Sequence, residues 1–246
     1  MHITTIRTEK ITPRSTSVDE LLTRYCADIE ENTIIVITSK VVSMCEGSVV
    51  KKSTQTKGDL AAAEADLYIP PSRSKYDVTL TIKNNQLIPS AGIDESNSDG
   101  HFVFWPKDPQ KSANTAREYM VNTFGKKNTG VIISDSKTTP LRWGITGTSI
   151  AHSGFVALND YIGKPDIFGR PLTMTKVNVV DALAAAAVLV MGESNEQTPL
   201  AIITDVPFVE FQGRNPTNQE LDDLHIPLED DVYAPILTTA DWVQRK

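Results

Sequence analysis

Residues 15–43 read "STSVDELLTRYCADIEENTIIVITSKVVS", and a change of period within them decides the fold class. Up to Glu31 the apolar side chains Leu21, Leu22, Tyr25 and Ile29 recur at helical intervals, behind Ser17 and Glu20 in capping-box spacing. From Asn32 the run turns β-branched and reads as a buried strand through Ser43, bounded by the "CEGS" break at residues 45–48. A helix feeding straight into a buried strand predicts a mixed α/β (α+β) protein.

The pattern continues outward on both counts. Residues 51–75 hold a short Ala-rich helix between charged and Pro-rich loops, "YDVTLTIKN" alternates like a half-exposed strand, and "HFVFWP" reads as another, ending at Pro106. "KDPQKSANTAREYMVNTFGKK" is a helix that stops at Gly125, and "TGVIISDS" is an apolar strand expected to deliver Asp135 at its end. A short strand and an Ala-rich helix ending at Gly192 follow in "DIFGRPLTMTKVNVVDALAAAAVLVMGES". "PLAIITDVPFVEF" is the last strong strand, and "NPTNQELDDLHIPLEDDVY" an acidic surface segment. The chain of 246 residues is read as one unit, 1–246, with a division into two subdomains left open.

Apolar residues at 40% and charged residues at 22% are those of an ordinary globular protein, and a net charge of −7 argues against a general nucleic-acid binder. No apolar run approaches a membrane span and "MHITTIRTEK" lacks a signal-peptide core, so a cytoplasmic protein without membrane partners is expected. Cys26 and Cys45 fall in no CxxC or Cys/His spacing and are read as buried, inert thiols.

Acid stands at the edges of three apolar runs: Asp94 in "AGIDESN", Asp135 in "VIISDS", and Glu193 with Glu196 in "MGESNEQTP". Each alone has the bland reading of a turn or cap. Converging from separate segments, they would form an oxygen-donor site for divalent ions that bridge phosphates. Arg142 is either a bidentate anchor for phosphate or carboxylate or a fold-stabilising surface residue, and Lys40, at the expected end of the first strand, invites the same comparison. No GxSxG, P-loop, GxGxxG or HExxH motif competes. His152 is read as structural.

The order "ITSKVVSMCEG", "AGIDESN", "GVIISDS", "LRWG", "YIGKPDIFGRPL", "DALAAAAVLVMGE" resembles the coenzyme F-420-0 γ-glutamyl ligases and covers most of residues 1–205. The resemblance implies that family's α/β fold of mixed sheets with helices, assembled as an intertwined homodimer. It implies metal ligands at Asp94, Asp135, Ser136 and Glu193 for two divalent ions, Mg²⁺ or Mn²⁺, with K⁺ as a further candidate. Nucleotide contacts fall on Ser39, Lys40, Asn97, Gly192 and Glu193, and catalytic charge on Lys40 and Arg142. Glu95 and Asp99 are left as the solvated part of their loop.

The implied activity joins L-glutamate to a carboxylate of an F-420-0-like acceptor through an acyl phosphate, with GTP, or ATP, as co-substrate. A folate- or pterin-like acceptor and a non-catalytic nucleotide- or metal-binding relative are the alternatives. Departures from the family pattern keep them open: Met44 replaces the second lysine of K-I-V-S-K-x-E-G, and "KTT" at 137–139 replaces N-G-R. The triplet R-R-G becomes Arg142, Trp143, Gly144, and the segment ahead of "AGID" is short.

Overall fold

The computed structural model describes residues 1–244. Its centre is a five-stranded sheet that combines β1 (His2–Ile6), β2 (Thr33–Thr38), β8 (Thr129–Thr138), β9 (Ile145–Ser153) and β12 (Leu200–Thr204) in the order β1-β12-β2-β8-β9. Only the β2–β8 pair is parallel. Its strands alternate faces as the pleat requires. Ile35, Ile37, Val131 and Ile133 face α1 (Val18–Cys26), α2 (Ser39–Glu46) and α4 (Pro109–Phe124), while Ile34, Val36 and Ile132 face α5 (Val179–Met191). Burial on both faces explains why β2 reads as an unbroken β-branched run.

Three smaller sheets accompany this core. The strands β4 (Leu67–Ile69), β5 (Leu80–Lys83), β6 (Gln86–Pro89) and β13 (Val243–Gln244) form a sheet in the order β13-β4-β5-β6, beside α3 (Lys57–Glu64). Two pairs complete the strands: β3 (Val49–Lys51) with β7 (His101–Val103), and β10 (Leu158–Asp160) with β11 (Lys176–Asn178). The short helices α6 (Asn218–Asp222) and α7 (Ala234–Leu237) lie in the C-terminal segment, which is largely exposed and acidic as its composition predicts.

Local chemistry fixes the boundaries. The capping box at Ser17 and Glu20 closes reciprocally, and Gly125 ends α4 in a left-handed cap. Gly147 lets α5 lie directly on β9, since a Cβ there would stand 2.5 Å from the Ala184 carbonyl and 2.8 Å from the Val188 side chain.

Two expectations are corrected. The strand read as running to Ser43 ends at Thr38, where α2 begins. Val41 and Val42 favour strand by propensity, but packing into the core overrides it, as burial often does. Asp135 is not the end of its strand: β8 runs on to Thr138, paired with β9 past a register shift between Ile133 and Ser134. Strand β9 itself carries no pattern that the sequence reading picked out.

Candidate functional site

A cavity of about 700 Å³ opens at the carboxyl ends of the parallel pair β2–β8, the place in an α/β sheet where ligands are usually held. Thr38, Ser39, Lys40, Val41 and Met44 line it from β2 and α2, Ser134 to Ser136 from β8, and Gly192 to Pro199 from the turn after α5. Asp94, Asn97 and Asp99 reach it from the "AGIDESN" loop. Of the residues singled out in the sequence, Ser39, Lys40, Asp94, Asn97, Asp135, Ser136, Gly192 and Glu193 all come together here.

Lys40 ties this site together. As the second residue of α2 its ammonium pairs with Asp94 Oδ2 at 2.6 Å and donates to the Ser96 carbonyl and hydroxyl at 3.1 and 3.0 Å. Asp94 Oδ1 accepts from the Glu95 and Ser96 N–H groups at 2.5 and 2.9 Å. The loop that permits this fold is tight, with Ala91 and Asn97 both at positive φ, 51° and 49°. Asn97 then donates its amide to the Ser194 carbonyl at 2.7 Å, joining the "AGIDESN" loop to the turn after α5.

Asp135 stands deeper. Its Oδ1 accepts from the Ser136 N–H at 2.8 Å and its Oδ2 from the Trp105 indole. Its carboxyl is pushed up to about 6, by burial first and by the Asp94 charge, against the pull of the two donors and of Lys40. Glu193 is also raised, by burial first and then by Asp94 and Glu196, against the pull of Lys40 and of the Ser136 side chain. Burial acts on Asp94 in the same sense, but the bond from Lys40 and the two N–H donors outweigh it and hold the carboxyl below its ordinary range.

Carboxylates gathered in a half-buried cavity, with a serine hydroxyl beside them, are the hard oxygen donors that a divalent cation selects. Among the described residues no three His, Cys, Asp or Glu side chains are gathered tightly enough to hold an ion as they stand, and the ammonium of Lys40 is the cation that Asp94 engages. The first turn of α2 has no side-chain cap, and its residues Ser39 and Lys40 line the cavity at the helix end where N–H groups lack intrahelical partners.

Some assignments land elsewhere. Arg142 sits on the exposed turn between β8 and β9, its N–H bonded to the Thr139 carbonyl at 3.2 Å, and does not line the cavity. Glu95 pairs outward with Lys52 at 3.0 Å, as a solvated loop residue should, but Asp99 does line the cavity. Met44 is buried and reaches the cavity as an apolar side chain. The sequence reading missed Trp105 and the segment Arg7 to Thr12, which lines the cavity from beyond β1 with two more basic side chains, Arg7 and Lys10. No motif marks that segment. Gly192 ends α5 at φ 81°, with Glu196 packed where a Cβ would be and bonded to the Ser194 N–H at 2.8 Å.

His152 and Cys26 behave as bland chemistry predicts, while Cys45, read as buried, is only partly so. His152 is buried against the edge of Phe155, ring centroids 5.5 Å apart, and Cys26 lies wholly in the core. No helix of the described residues is long and apolar enough to cross a membrane.

Known proteins resemble this chain in sequence. The sequence pattern of the family described as F420-0:Gamma-glutamyl ligase matches residues 5–205. The coenzyme F420:L-glutamate ligase of Methanococcus maripaludis strain C6 is 37% identical, over 83% of this chain and 88% of its own. The protein of that name from Methanocaldococcus jannaschii is 34% identical over 88% and 90%, and that from Halorubrum lacusprofundi 31% over 76% and 80%. The match spans the central sheet, the "AGIDESN" loop and the turn after α5 alike, and on that ground the chain belongs to the F420-0:gamma-glutamyl ligase family.

Proposed function

We propose that this cavity joins L-glutamate to a carboxylate of a coenzyme F-420-0-like acceptor, at the expense of GTP or ATP, through an acyl phosphate. The observation that carries the reading is the convergence of three acid-bearing segments, Lys40 and the uncapped start of α2 on one cavity. The names of the relatives supply the acceptor and the amino acid.

In this reading the acceptor carboxylate attacks the terminal phosphorus of the nucleotide, and the bond to the departing diphosphate breaks. The glutamate amino group then attacks the acyl carbon, expelling inorganic phosphate. The N–H groups of Ser39 and Lys40 and the Lys40 ammonium hold phosphate oxygens, where fixed positive charge acts on the charge that moves in transfer. Asn97, with one amide N–H donated to Ser194, has its carbonyl oxygen to orient the nucleotide, and Gly192 contributes its backbone where the turn after α5 meets the cavity. Asp94, Asp135, Ser136 and Glu193 would hold two divalent ions, Mg²⁺ or Mn²⁺, with K⁺ as a further candidate. Such ions offset charge on phosphate and on the leaving oxygen.

The same reading includes a homodimer. Large apolar side chains stand in solvent on the β8–β9 turn, Leu141 and Trp143, and on the arm between β10 and β11, Ile167, Phe168 and Met174. Apolar surface of this kind supports a contact with another chain. Arg142 lies on that turn, so its assignment to catalytic charge requires a second copy.

The test is phosphate release by the purified protein with GTP or ATP, Mn²⁺, L-glutamate and either an F-420-0 or a folate-like acceptor. Release that depends on F-420-0 and glutamate is the expected result, with Asp94→Asn and Asp135→Asn losing metal-dependent nucleotide binding. Release driven by the folate-like compound instead would move the acceptor, and tight nucleotide binding with no turnover on either would leave a binding protein.

A further inference from the structure

Trp105 belongs to no motif, yet it reaches the site with a polar atom from a fully buried position. It follows β7, its carbonyl accepts from the Ser48 hydroxyl at 2.9 Å, and it is 2% exposed. Gly92, at φ +72°, is what lets the ring lie beneath the "AGIDESN" loop, because a Cβ there would run into indole atoms Nε1 and Cε2. The Lys83 ammonium stands 5.5 Å from the ring centroid and is itself fixed by Glu64 at 2.8 Å. A cation on the face of an indole draws electron density from the ring and makes its N–H a stronger donor.

That one polar atom is aimed at Asp135 Oδ2, while the Ser136 N–H holds Oδ1 at 2.8 Å. Both oxygens of the carboxylate are therefore gripped by groups that donate and never accept, and each keeps lone-pair capacity for another ligand. We infer that Trp105 is a positioning residue, whose indole N–H fixes the Asp135 carboxylate in the orientation that takes a divalent cation. The inference rests on the metal reading above. A purely structural Trp105, with Asp135 present only to satisfy its N–H, would affect stability and leave cation affinity alone.

Two measurements decide it. Titration calorimetry of Mn²⁺ on Trp105→Phe, which keeps an aromatic ring and removes the donor, is expected to show affinity at least ten-fold weaker than the unsubstituted chain, the usual effect of losing a ligand's supporting hydrogen bond. In the unsubstituted protein, ¹⁵N-labelled and with the other indole signals identified through Trp143→Phe and Trp242→Phe, the Trp105 indole N–H resonance is expected to move on addition of Mg²⁺. A smaller loss of Mn²⁺ affinity in folded Trp105→Phe overturns the inference, and so does a stationary resonance at saturating Mg²⁺. If Trp105→Phe does not fold, the resonance alone decides. An unsubstituted chain that takes up no Mn²⁺ refutes the metal reading itself, a different failure, and this inference falls with it.

Discussion

Acid should destabilise this protein through one histidine, by an amount that the structure fixes. His152 lies on β9, 2% exposed, with the Phe155 ring against it and its backbone carbonyl held by the Gln110 amide at 2.7 Å. Burial depresses its pKa from 6.5 to about 4, and the Glu220 charge offsets only part of that. Between these values the unfolded chain binds a proton that the folded chain refuses, so stability rises with pH there and is lost as pH falls from 6.5 toward 4. The full window is worth about 3 kcal/mol, of which about 2 kcal/mol lies between pH 7 and pH 5. The assay is urea unfolding at both pH values for the native chain and for His152→Leu, which keeps an uncharged side chain in the core. Carboxylates contribute equally to both, so the native chain should lose about 2 kcal/mol more than the variant over that interval. Equal losses would refute the claim that His152 is held neutral by burial.

Three further outcomes follow from the packing. Gly147→Ala should cost about 1–3 kcal/mol in urea unfolding, because the added carbon meets the Ala184 backbone carbonyl, which cannot swing aside as a side-chain tip would. Ser17→Ala removes the acceptor of the Glu20 N–H and should cost about 1 kcal/mol, measured the same way. Cys26, fully buried with its thiol pushed up to about 12, should react with a thiol reagent only as fast as the protein opens; prompt labelling of two thiols in the folded state would contradict that burial.

What the sequence makes legible is local. The capping box at Ser17, the start of the buried run of β2 and the Gly125 stop each follow from a few neighbouring residues, and each is found where the pattern puts it. The start of α2 is not legible this way, since Val41 and Val42 suit either structure and only the core they pack into chooses between them. The same division runs through the site. Asp94, Asp135 and Glu193 announce themselves as acid at the edges of apolar runs, and the cavity gathers all three. Arg142 announces itself equally well by type, but the length of β8 and β9 carries it out onto a turn. Trp105 and Arg7 act on the cavity only through long-range folding, so no spacing in the chain could have pointed to them.

The register shift in the β8–β9 ladder has a consequence for how this family can change. It divides β8 at Ile133: on one side lie residues wholly inside the core, on the other the partly exposed Asp135 to Thr138. A bulge lets the two halves of a strand answer to different neighbours. Replacements beyond it, such as those at 137–139, leave the Val131 to Ile133 packing untouched, so descendants can exchange the outer end of the strand and the turn after it without first having to rebuild what holds the protein together.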